Sequence, residues 1–211
     1  MFDIEYKGAG SVLITTKKTK LITDPKLSLV GLKDQPTKGM IEIATEARFA
    51  TRSDEAHLNI EGPGEYEVGD FSIKGVAAVR HLDSGSDQKL STIYRIEVGD
   101  VRLVLIGDVA PNLSEDQLES IGVVDMVIIP VGGNGYTLDA TSAAHMVRAI
   151  DAKIVVPIHY ADNGVKYEVP QDPLELFAKE FGGEIEQTSK LKVKSAGSLP
   201  QVPTIIELTR S

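Results

Sequence analysis

The first half of the chain consists of short strand-like segments separated by turn residues. Apolar and β-branched residues recur there between polar ones and predict strands at residues 4–6, 11–16, 20–23, 40–45 and 71–79. The strongest local signal is a hairpin, in which residues 91–98 pair with residues 101–106 across Gly99 and Asp100. This half of the chain is therefore expected to open with an antiparallel sheet.

Three apolar runs in the second half alternate with helix signals. The runs cover residues 101–108, 123–130 and 153–160. Ser114 and Gln117 have the spacing of a capping box before the first helix, and Asp139 can cap a second helix over residues 140–150. The order strand, helix, strand, helix, strand is typical of a buried, partly parallel sheet.

The C-terminal segment adds a helix, an edge strand and a last strand. We expect Pro173 at the first helical position and Gly182 at the end of that helix. The three lysines within residues 190–194 alternate with apolar residues, which is typical of the solvated side of an edge strand. Residues 204–208 predict the final strand.

Residues with chemical potential follow each of the three apolar runs. Asp108 ends the first run, a glycine loop follows the second, and His159 lies near the end of the third. Functional groups in such sheets collect beyond the carboxyl ends of the strands, so we expect one site with three contributors. The amides of Gly132 and Gly133 could hold an anionic group of a substrate, although a tight turn is the simpler interpretation.

The composition limits the chemistry that this site can use. The 211 residues include no cysteine, so any metal must be held by His, Asp or Glu. Lys and Arg number 22 against 31 Asp and Glu, and the formal charge of −9 disfavours nucleic acid as a partner. The acidic start lacks the pattern of a secretory signal, and no apolar run approaches the ~20 residues of a membrane span. We therefore expect a cytoplasmic protein that acts on a small-molecule substrate or ligand and has no membrane partner.

Five motifs stand in order along the chain. They are residues 6–14 with 21–25, residues 62–68 beginning Gly62-Pro63-Gly64, Ile106-Gly107-Asp108, residues 130–137, and Val156-Pro157-Ile158-His159-Tyr160. Together they resemble the metallo-β-lactamase superfamily, in particular its small predicted zinc-dependent hydrolases. The resemblance implies an α/β (α+β) fold, a metallo-β-lactamase-like four-layer αββα sandwich, as a single domain over residues 1–211.

The resemblance also implies a set of metal ligands. In working members of the superfamily, two metal ions activate a bridging water that attacks the substrate. The later metal-binding histidine of the family falls on His81, at the start of a polar loop predicted over residues 81–87. The bridging aspartate falls on Asp108 and the final histidine on His159. These three residues are all present.

The early His-x-His-x-Asp-His motif of the superfamily is replaced in this chain. Placed directly after the strand at residues 40–45, it falls on residues 46–51, where every metal ligand of the family is missing. A second placement, on residues 52–57, keeps His57 and offers Asp54. We prefer the first placement because it follows a predicted strand.

The remaining ligands support two functional hypotheses. In the first, one divalent ion rather than two, zinc or another metal, is held by His81, Asp108 and His159, with Glu46 or water completing its shell. Asp108 and His159 would then assist the attack of water on an ester, lactone, amide or phosphodiester. The enzyme would be a metal-dependent hydrolase with a reduced metal centre.

In the second hypothesis the fold persists without a metal. Arg48 stands in the replaced motif, where its guanidinium could pair with Asp108 and supply the charge that a metal would carry. Such a protein would be catalytically inactive and would bind a small anion or a protein partner in the same cleft, beside Arg48, Gly132 and Gly133. A subunit of a homo-oligomer without any site is a third interpretation, but it leaves His81 and His159 unexplained.

Overall fold

The computed structural model describes residues 1–81 and 90–211. Beyond His81, the polar loop predicted at residues 81–87 lies outside the described residues. The strands are β1 (Phe2–Gly8), β2 (Ser11–Thr15), β3 (Lys20–Thr23), β4 (Ile41–Ala44), β5 (Leu58–Glu61), β6 (Gly64–Val68), β7 (Phe71–Val79), β8 (Leu90–Val98), β9 (Val101–Leu105), β10 (Met126–Pro130), β11 (Ile154–Ile158), β12 (Ile185–Thr188), β13 (Leu191–Val193) and β14 (Thr204–Leu208). The α-helices are α1 (Glu115–Ile121), α2 (Ala140–Ile150) and α3 (Leu174–Phe181). Short 3-10 turns occur at Leu27–Val30, Ala47–Phe49 and Ala196–Ser198.

The strands form two mixed sheets. The six-stranded sheet has the order β13-β1-β2-β3-β4-β5, and the eight-stranded sheet has the order β12-β14-β11-β10-β9-β8-β7-β6. In the larger sheet β10 runs parallel to both neighbours, with Ile128 opposite Leu105 and Val156. The predicted hairpin of β8 and β9 is confirmed, and so is the parallel arrangement of the three apolar runs.

The main hydrophobic core lies between the two sheets. Alternate residues of β1 and β2, such as Ile4 and Ile14, face alternate residues of β9 and β10, such as Leu103 and Ile128. These four side chains have no exposed surface. Burying an aliphatic side chain of this size contributes about 1.5–3 kcal/mol relative to leaving it in water. The packing therefore fixes which end of each strand carries the polar residues that follow it.

A second core lies between the eight-stranded sheet and the α-helices. The opposite faces of β9, β10 and β11 present Val104, Val127 and Val155 to Met146 of α2 and Phe177 of α3. In the part of the chain that the structure describes, all three α-helices contribute to this second core. They are all too short or too polar to span a bilayer.

The three α-helices pack on the eight-stranded sheet, and the outer face of the six-stranded sheet is polar along β1. Among the described residues, no α-helix contributes to the core on that sheet. The reason is visible in β1, where Ile4 and Tyr6 point into the core and the alternating Glu5 and Lys7 point outwards. Glu5 pairs with Lys7 at 2.8 Å and with Lys190 at 2.7 Å. Charged side chains of this kind do not form an apolar surface on which a helix could pack.

The helix boundaries follow local capping chemistry. The capping box of Ser114 and Gln117 is present at α1, and the Asp139 carboxylate accepts a hydrogen bond from the Ser142 amide (2.7 Å) at α2. The prediction for α3 was wrong by one position. Pro173 is the N-cap rather than the first helical residue, because its backbone is extended (ψ 152°) and the helix begins at Leu174.

Candidate functional site

The candidate site is a pocket at the carboxyl ends of strands from both sheets. Asp24 directly follows β3, Thr45 directly follows β4, Asp108 lies just beyond β9, and His159 directly follows β11. All four side chains line the pocket, which with its open mouth encloses about 750 Å³. The two packed sheets thus bring residues from distant parts of the sequence to one edge of the sandwich.

Arg48 is the central residue of one wall of the pocket, which we call the charged wall. The 3-10 turn that directly follows β4 carries it into the pocket. Its Nε donates to Glu46 Oε2 (2.9 Å), its Nη2 lies 3.3 Å from Asp108 Oδ2, and its Nη1 donates to the Tyr136 hydroxyl (2.5 Å). The guanidinium is therefore held in one orientation by three different groups. Charge-assisted bonds of this kind are stronger than neutral ones.

Glu46 is shared between two guanidinium groups. Its Oε1 lies 3.3 Å from Nε of Arg80, and its Oε2 accepts from Arg48. Burial is the largest influence on Glu46 and raises its pKa, with Asp108 acting in the same direction and the two arginines opposing. We call these four residues, Glu46, Arg48, Arg80 and Asp108, the arginine cluster. When all four are ionised the cluster has no net charge.

Asp108 is buried at the centre of the arginine cluster, with 5% of its surface exposed. Burial raises its pKa to about 6, while the charges of Arg48 and Arg80 lower it. A buried carboxylate needs a positive partner, because desolvation of an unpaired charge is costly. In this structure Arg48 is such a partner, as the second hypothesis from the sequence anticipated.

His159 lies on a second, uncharged wall of the pocket, which we call the neutral wall. Its Nδ1 lies 3.1 Å from Gln171 Oε1, and Gln171 is oriented by donating its amide nitrogen to the Val169 carbonyl (3.0 Å). Nδ1 is therefore the protonated nitrogen, which leaves the lone pair of Nε2 free. Burial lowers the pKa of His159 to about 4, so the ring is neutral at physiological pH.

Aromatic rings hold the His159 imidazole in place. The Tyr136 ring is stacked on it at a centroid distance of 5.9 Å, and the Tyr167 ring is tilted against it at 4.6 Å. The backbone of His159 has a left-handed φ of 50°, and its amide donates to the Ala9 carbonyl (3.0 Å). No pattern in the sequence indicated Tyr136, Tyr167 or Gln171 as partners of this histidine.

The glycine loop lies behind His159 and outside the pocket lining, whereas the sequence analysis considered its amides as a site for an anionic group of a substrate. Neither Gly132 nor Gly133 lines the pocket. The Gly133 amide donates to the Leu138 carbonyl (3.0 Å) and to the Thr137 hydroxyl (2.9 Å), so it is already used within the loop. A Cβ on Gly132 would come within 2.2 Å of the His159 carbonyl oxygen. The loop therefore supports His159 from behind.

Asp24 is a buried carboxyl that sequence reasoning did not assign to the site. It was part of the family-like opening motif, but no pattern marked it as a pocket residue. Its Oδ1 accepts from the Thr45 amide (2.7 Å), and its Oδ2 is hydrogen-bonded to the Thr45 hydroxyl (2.8 Å). Burial raises the pKa of Asp24 to about 8, so it is largely neutral at pH 7.

The remaining histidines are divided between the pocket edge and the surface. His81 follows β7, and its amide donates to the Asp108 carbonyl (3.0 Å). Its buried Nδ1 has no hydrogen-bond partner among residues 1–81 and 90–211. His57 is exposed, as is the neighbouring Arg52, which pairs with Glu61. The structure thus brings Arg48 and Phe49 of the first motif placement to the pocket and leaves His57 of the second at the surface.

The residues present do not fit the metal ion that the family implies. Zinc in a catalytic site is usually held by three protein side chains. Among the described residues, no three His, Asp or Glu side chains are grouped so that they could hold one ion. The donors that are close together, Glu46 and Asp108, already meet the guanidinium of Arg48. The metal roles expected for His81, Asp108, His159 and Glu46 therefore stay predictions.

Comparisons of the sequence with known proteins give one family. A family model described as a beta-lactamase superfamily domain matches residues 3–159. A curated protein of Carboxydothermus hydrogenoformans, called UPF0173 metal-dependent hydrolase, is 26% identical over 102 residues, which make up 46% of this chain and 44% of that protein. The chain thus spans less than half the length of this curated relative.

Comparisons of the structure give the same fold. A proposed zinc-dependent hydrolase of the metallo-β-lactamase superfamily from Thermotoga maritima superposes with a TM-score of 0.75, at 20% identity, covering 99% of this chain and 98% of that one. A metallo hydrolase of Ignicoccus hospitalis superposes with a TM-score of 0.64, at 15% identity, covering 99% and 95%. Mixed sheets with helices in this arrangement are the metallo-β-lactamase fold, as the sequence motifs predicted.

Proposed function

The chain belongs to the beta-lactamase superfamily domain family, and we propose that it is a member that works without a metal ion and binds a small ligand in the pocket beside Arg48. The related curated proteins are called metal-dependent hydrolases. In this proposal the arginine cluster takes over the electrostatic role of the metal centre. The protein then keeps the cleft of the family but not the ion that would activate water.

The bridging position of Arg48 between Glu46 and Asp108 is the observation that carries this proposal. Its Nη2 is 3.3 Å from Asp108 and its Nε is 2.9 Å from Glu46. A metal ion bound to these carboxylates would have to displace the guanidinium, or would lie beside its positive charge. Arginine is permanently protonated in proteins, so this charge cannot be removed by titration.

A second candidate function is supported by the other wall of the pocket. Metal-binding histidines almost always donate their second ring nitrogen to a neighbouring acceptor, which fixes the tautomer. His159 has this arrangement, with Nδ1 donating to Gln171 Oε1 at 3.1 Å and Nε2 left unprotonated. This observation favours a hydrolase in which one divalent ion is bound by His159, Asp108 and His81. The same arrangement also suits a histidine that accepts a hydrogen bond from a ligand.

Metal content distinguishes the two candidates. The protein would be purified without chelator or histidine tag, beside the double variant His81→Ala, His159→Ala and a matched control, His57→Ala, His145→Ala, which removes two exposed histidines. The proposal predicts well below one equivalent of zinc, iron or manganese in all three proteins, and no change in melting temperature when zinc is added.

The hydrolase candidate predicts a different pattern. About one equivalent of metal in the parent and in the control, lost only from the His81, His159 variant, would establish a single metal site. Such a result would overturn the metal-free proposal. It would also direct substrate screening towards esters, lactones, amides and phosphodiesters.

A further inference from the structure

The pocket combines one incompletely used cationic group with an apolar wall. Arg48 Nη1 donates one hydrogen to the Tyr136 hydroxyl (2.5 Å). Among residues 1–81 and 90–211, its other hydrogen has only the Glu168 carboxylate nearby, at 3.9 Å, which is too long for a hydrogen bond. Glu168 is weakly held, because 64% of its side chain is exposed. Exposed ion pairs of this kind contribute only about 0–1 kcal/mol.

Glu168 indicates which chemical group this position accepts. A carboxylate attached to the chain already lies close to Arg48 without being fixed there. A guanidinium that is held rigidly and keeps a free N–H is well suited to bind such an anion. The Arg48 Cζ lies 4.4 Å from the centroid of the Phe49 ring, so the group has little freedom to turn away.

The charges around Arg48 leave the pocket receptive to an anion. Lys26 is a second basic residue among those that line the pocket. The negative charge of Asp108 is offset by Arg48 and Arg80. Asp24 is hydrogen-bonded to Thr45 and, because burial raises its pKa to about 8, brings little negative charge at pH 7. Once Glu168 moves aside, the positive groups exceed the negative ones in the pocket lining.

The rest of the lining is apolar. Another side of the pocket is lined by apolar side chains, which are those of Leu27, Leu29, Val30 and Phe49. Leu29 is 45% exposed, which is high for a leucine that lines a pocket. Burying an apolar chain against these residues would remove their surface from water, at about 25 cal/mol for each Å².

We propose that the pocket binds a free monocarboxylate with an apolar chain, whose carboxylate displaces Glu168 from Arg48 Nη1 and whose chain lies against Leu27, Leu29 and Phe49. This inference rests on the metal-free function proposed above, since it places the anion on a guanidinium rather than on a metal. It deepens that function by naming the class of ligand.

Calorimetric titration with acetate, hexanoate, octanoate and hexylamine would test the ligand class. All titrations would be done in buffer containing a chelator, so that no bound metal can contribute. Hexanoate and octanoate are expected to bind, acetate at least about tenfold more weakly because it lacks the methylene groups that the apolar wall would bury. Hexylamine, with the same chain and the opposite charge, is expected not to bind.

Variants of the competing carboxylate sharpen the test. Glu168→Gln removes the carboxylate that the ligand displaces, so octanoate should bind about threefold more tightly. The matched control Glu186→Gln removes an exposed glutamate of β12 outside the pocket and should leave affinity unchanged. Arg48→Gln, which keeps hydrogen bonding but loses the charge, should weaken octanoate at least about tenfold.

Several results would overturn this inference. They are equal binding of hexylamine and hexanoate, no effect of chain length, or the same octanoate affinity in the Glu168 variant, its control and the parent. Metal content measured on the same preparations before the chelator is added separates the two proposals. A metal-free protein that does not bind carboxylates refutes only the ligand class, whereas stoichiometric metal refutes the proposed function itself.

Discussion

Two regions of the pocket hold their buried carboxyls in opposite ways. On the charged wall, Asp108 is buried beside Arg48 and Arg80, and its pKa is about 6. At the end of β3, Asp24 is instead buried beside the Thr45 hydroxyl, and burial raises its pKa to about 8. Both carboxyls lie at strand ends of the same fold. The difference shows that the guanidinium groups, rather than burial alone, decide which carboxyl stays ionised near neutral pH.

The same contrast bears on how a metal site could be lost while its fold is kept. On the charged wall, the positive charge that an ion would supply comes from Arg48, which is bound by Glu46 and Asp108. On the neutral wall, His159 still has its Nδ1 bound by Gln171, which leaves Nε2 as the unprotonated nitrogen. The neutral wall depends on packing and neutral hydrogen bonds, so it can persist whether or not an ion is present.

Replacing Arg48 by alanine should have the largest effect on this contrast. The variant leaves Glu46 with Arg80 alone and Asp108 without its contact to Nη2. Removing one partner of a buried ion pair costs about 3–5 kcal/mol, and we expect a loss near the lower limit because 28% of the Arg48 side chain is exposed. Chemical denaturation at pH 7.5 would measure it.

Arg52→Ala is the matched control for that experiment. Arg52 makes a two-point contact with Glu61, both distances being 2.7 Å, but its side chain is 62% exposed. Its removal should cost less than about 1 kcal/mol. Added zinc should raise the melting temperature of the Arg48 variant more than that of the control, because only the former frees two carboxylates. Equal losses in both variants would mean that the arginine cluster carries no special role.

Asp24→Asn should have the next largest effect, and it depends on pH. The unfolded Asp24 loses its proton above about pH 4, whereas the folded one keeps it up to about pH 8. The parent therefore loses stability from this group as the pH rises between those values, by up to about 1.4 kcal/mol per pH unit. Asparagine has no such proton and keeps the hydrogen-bonding shape. The free energy of unfolding of the variant, relative to that of the parent, should therefore rise by about 3 kcal/mol between pH 5 and pH 7.

The comparison for this variant uses a second aspartate with a left-handed backbone. Asp24 has a φ of 41° and Asp151, the exposed residue at the end of α2, has a φ of 58°. Asparagine is well tolerated at such positions. Asp151→Asn should therefore leave the backbone undisturbed and serves as the matched control. A difference between Asp24→Asn and the parent that does not change from pH 5 to pH 7 would contradict the raised pKa.

How far the sequence predicts this site depends on the range of each interaction. Asp108 and His159 were predictable because apolar runs of strand length end at them, and the parallel sheet then brings their ends together. The contact of Arg48 with Asp108 was anticipated because the chain places an arginine where the family has metal ligands. These inferences use strand periodicity and motif position, which are properties of the sequence itself.

The missing parts of the site depend on contacts that no local pattern encodes. Gln171 is 12 positions from His159, in a segment without regular structure. Glu168 approaches Arg48 from the same segment. The ion pairs of Glu5 with Lys7 and Lys190 on the outer face of β1 likewise join residues that no local pattern links.

Gly132→Ala should have the smallest of these effects on stability and tests the neutral wall alone. Its Cβ would meet the His159 carbonyl oxygen at 2.2 Å and Gln171 Oε1 at 2.3 Å. Backbone and glutamine would have to move, at a cost of about 1–3 kcal/mol. Gly197→Ala is the control, because a Cβ there meets nothing within 4 Å. If His159 depends on this support, its imidazole NMR signals should shift in Gly132→Ala but not in Gly197→Ala. The loss of stability caused by Arg48→Ala should be the same in both backgrounds. If Gly132→Ala also abolished the stability cost of Arg48→Ala, the two walls would be one cooperative unit rather than two.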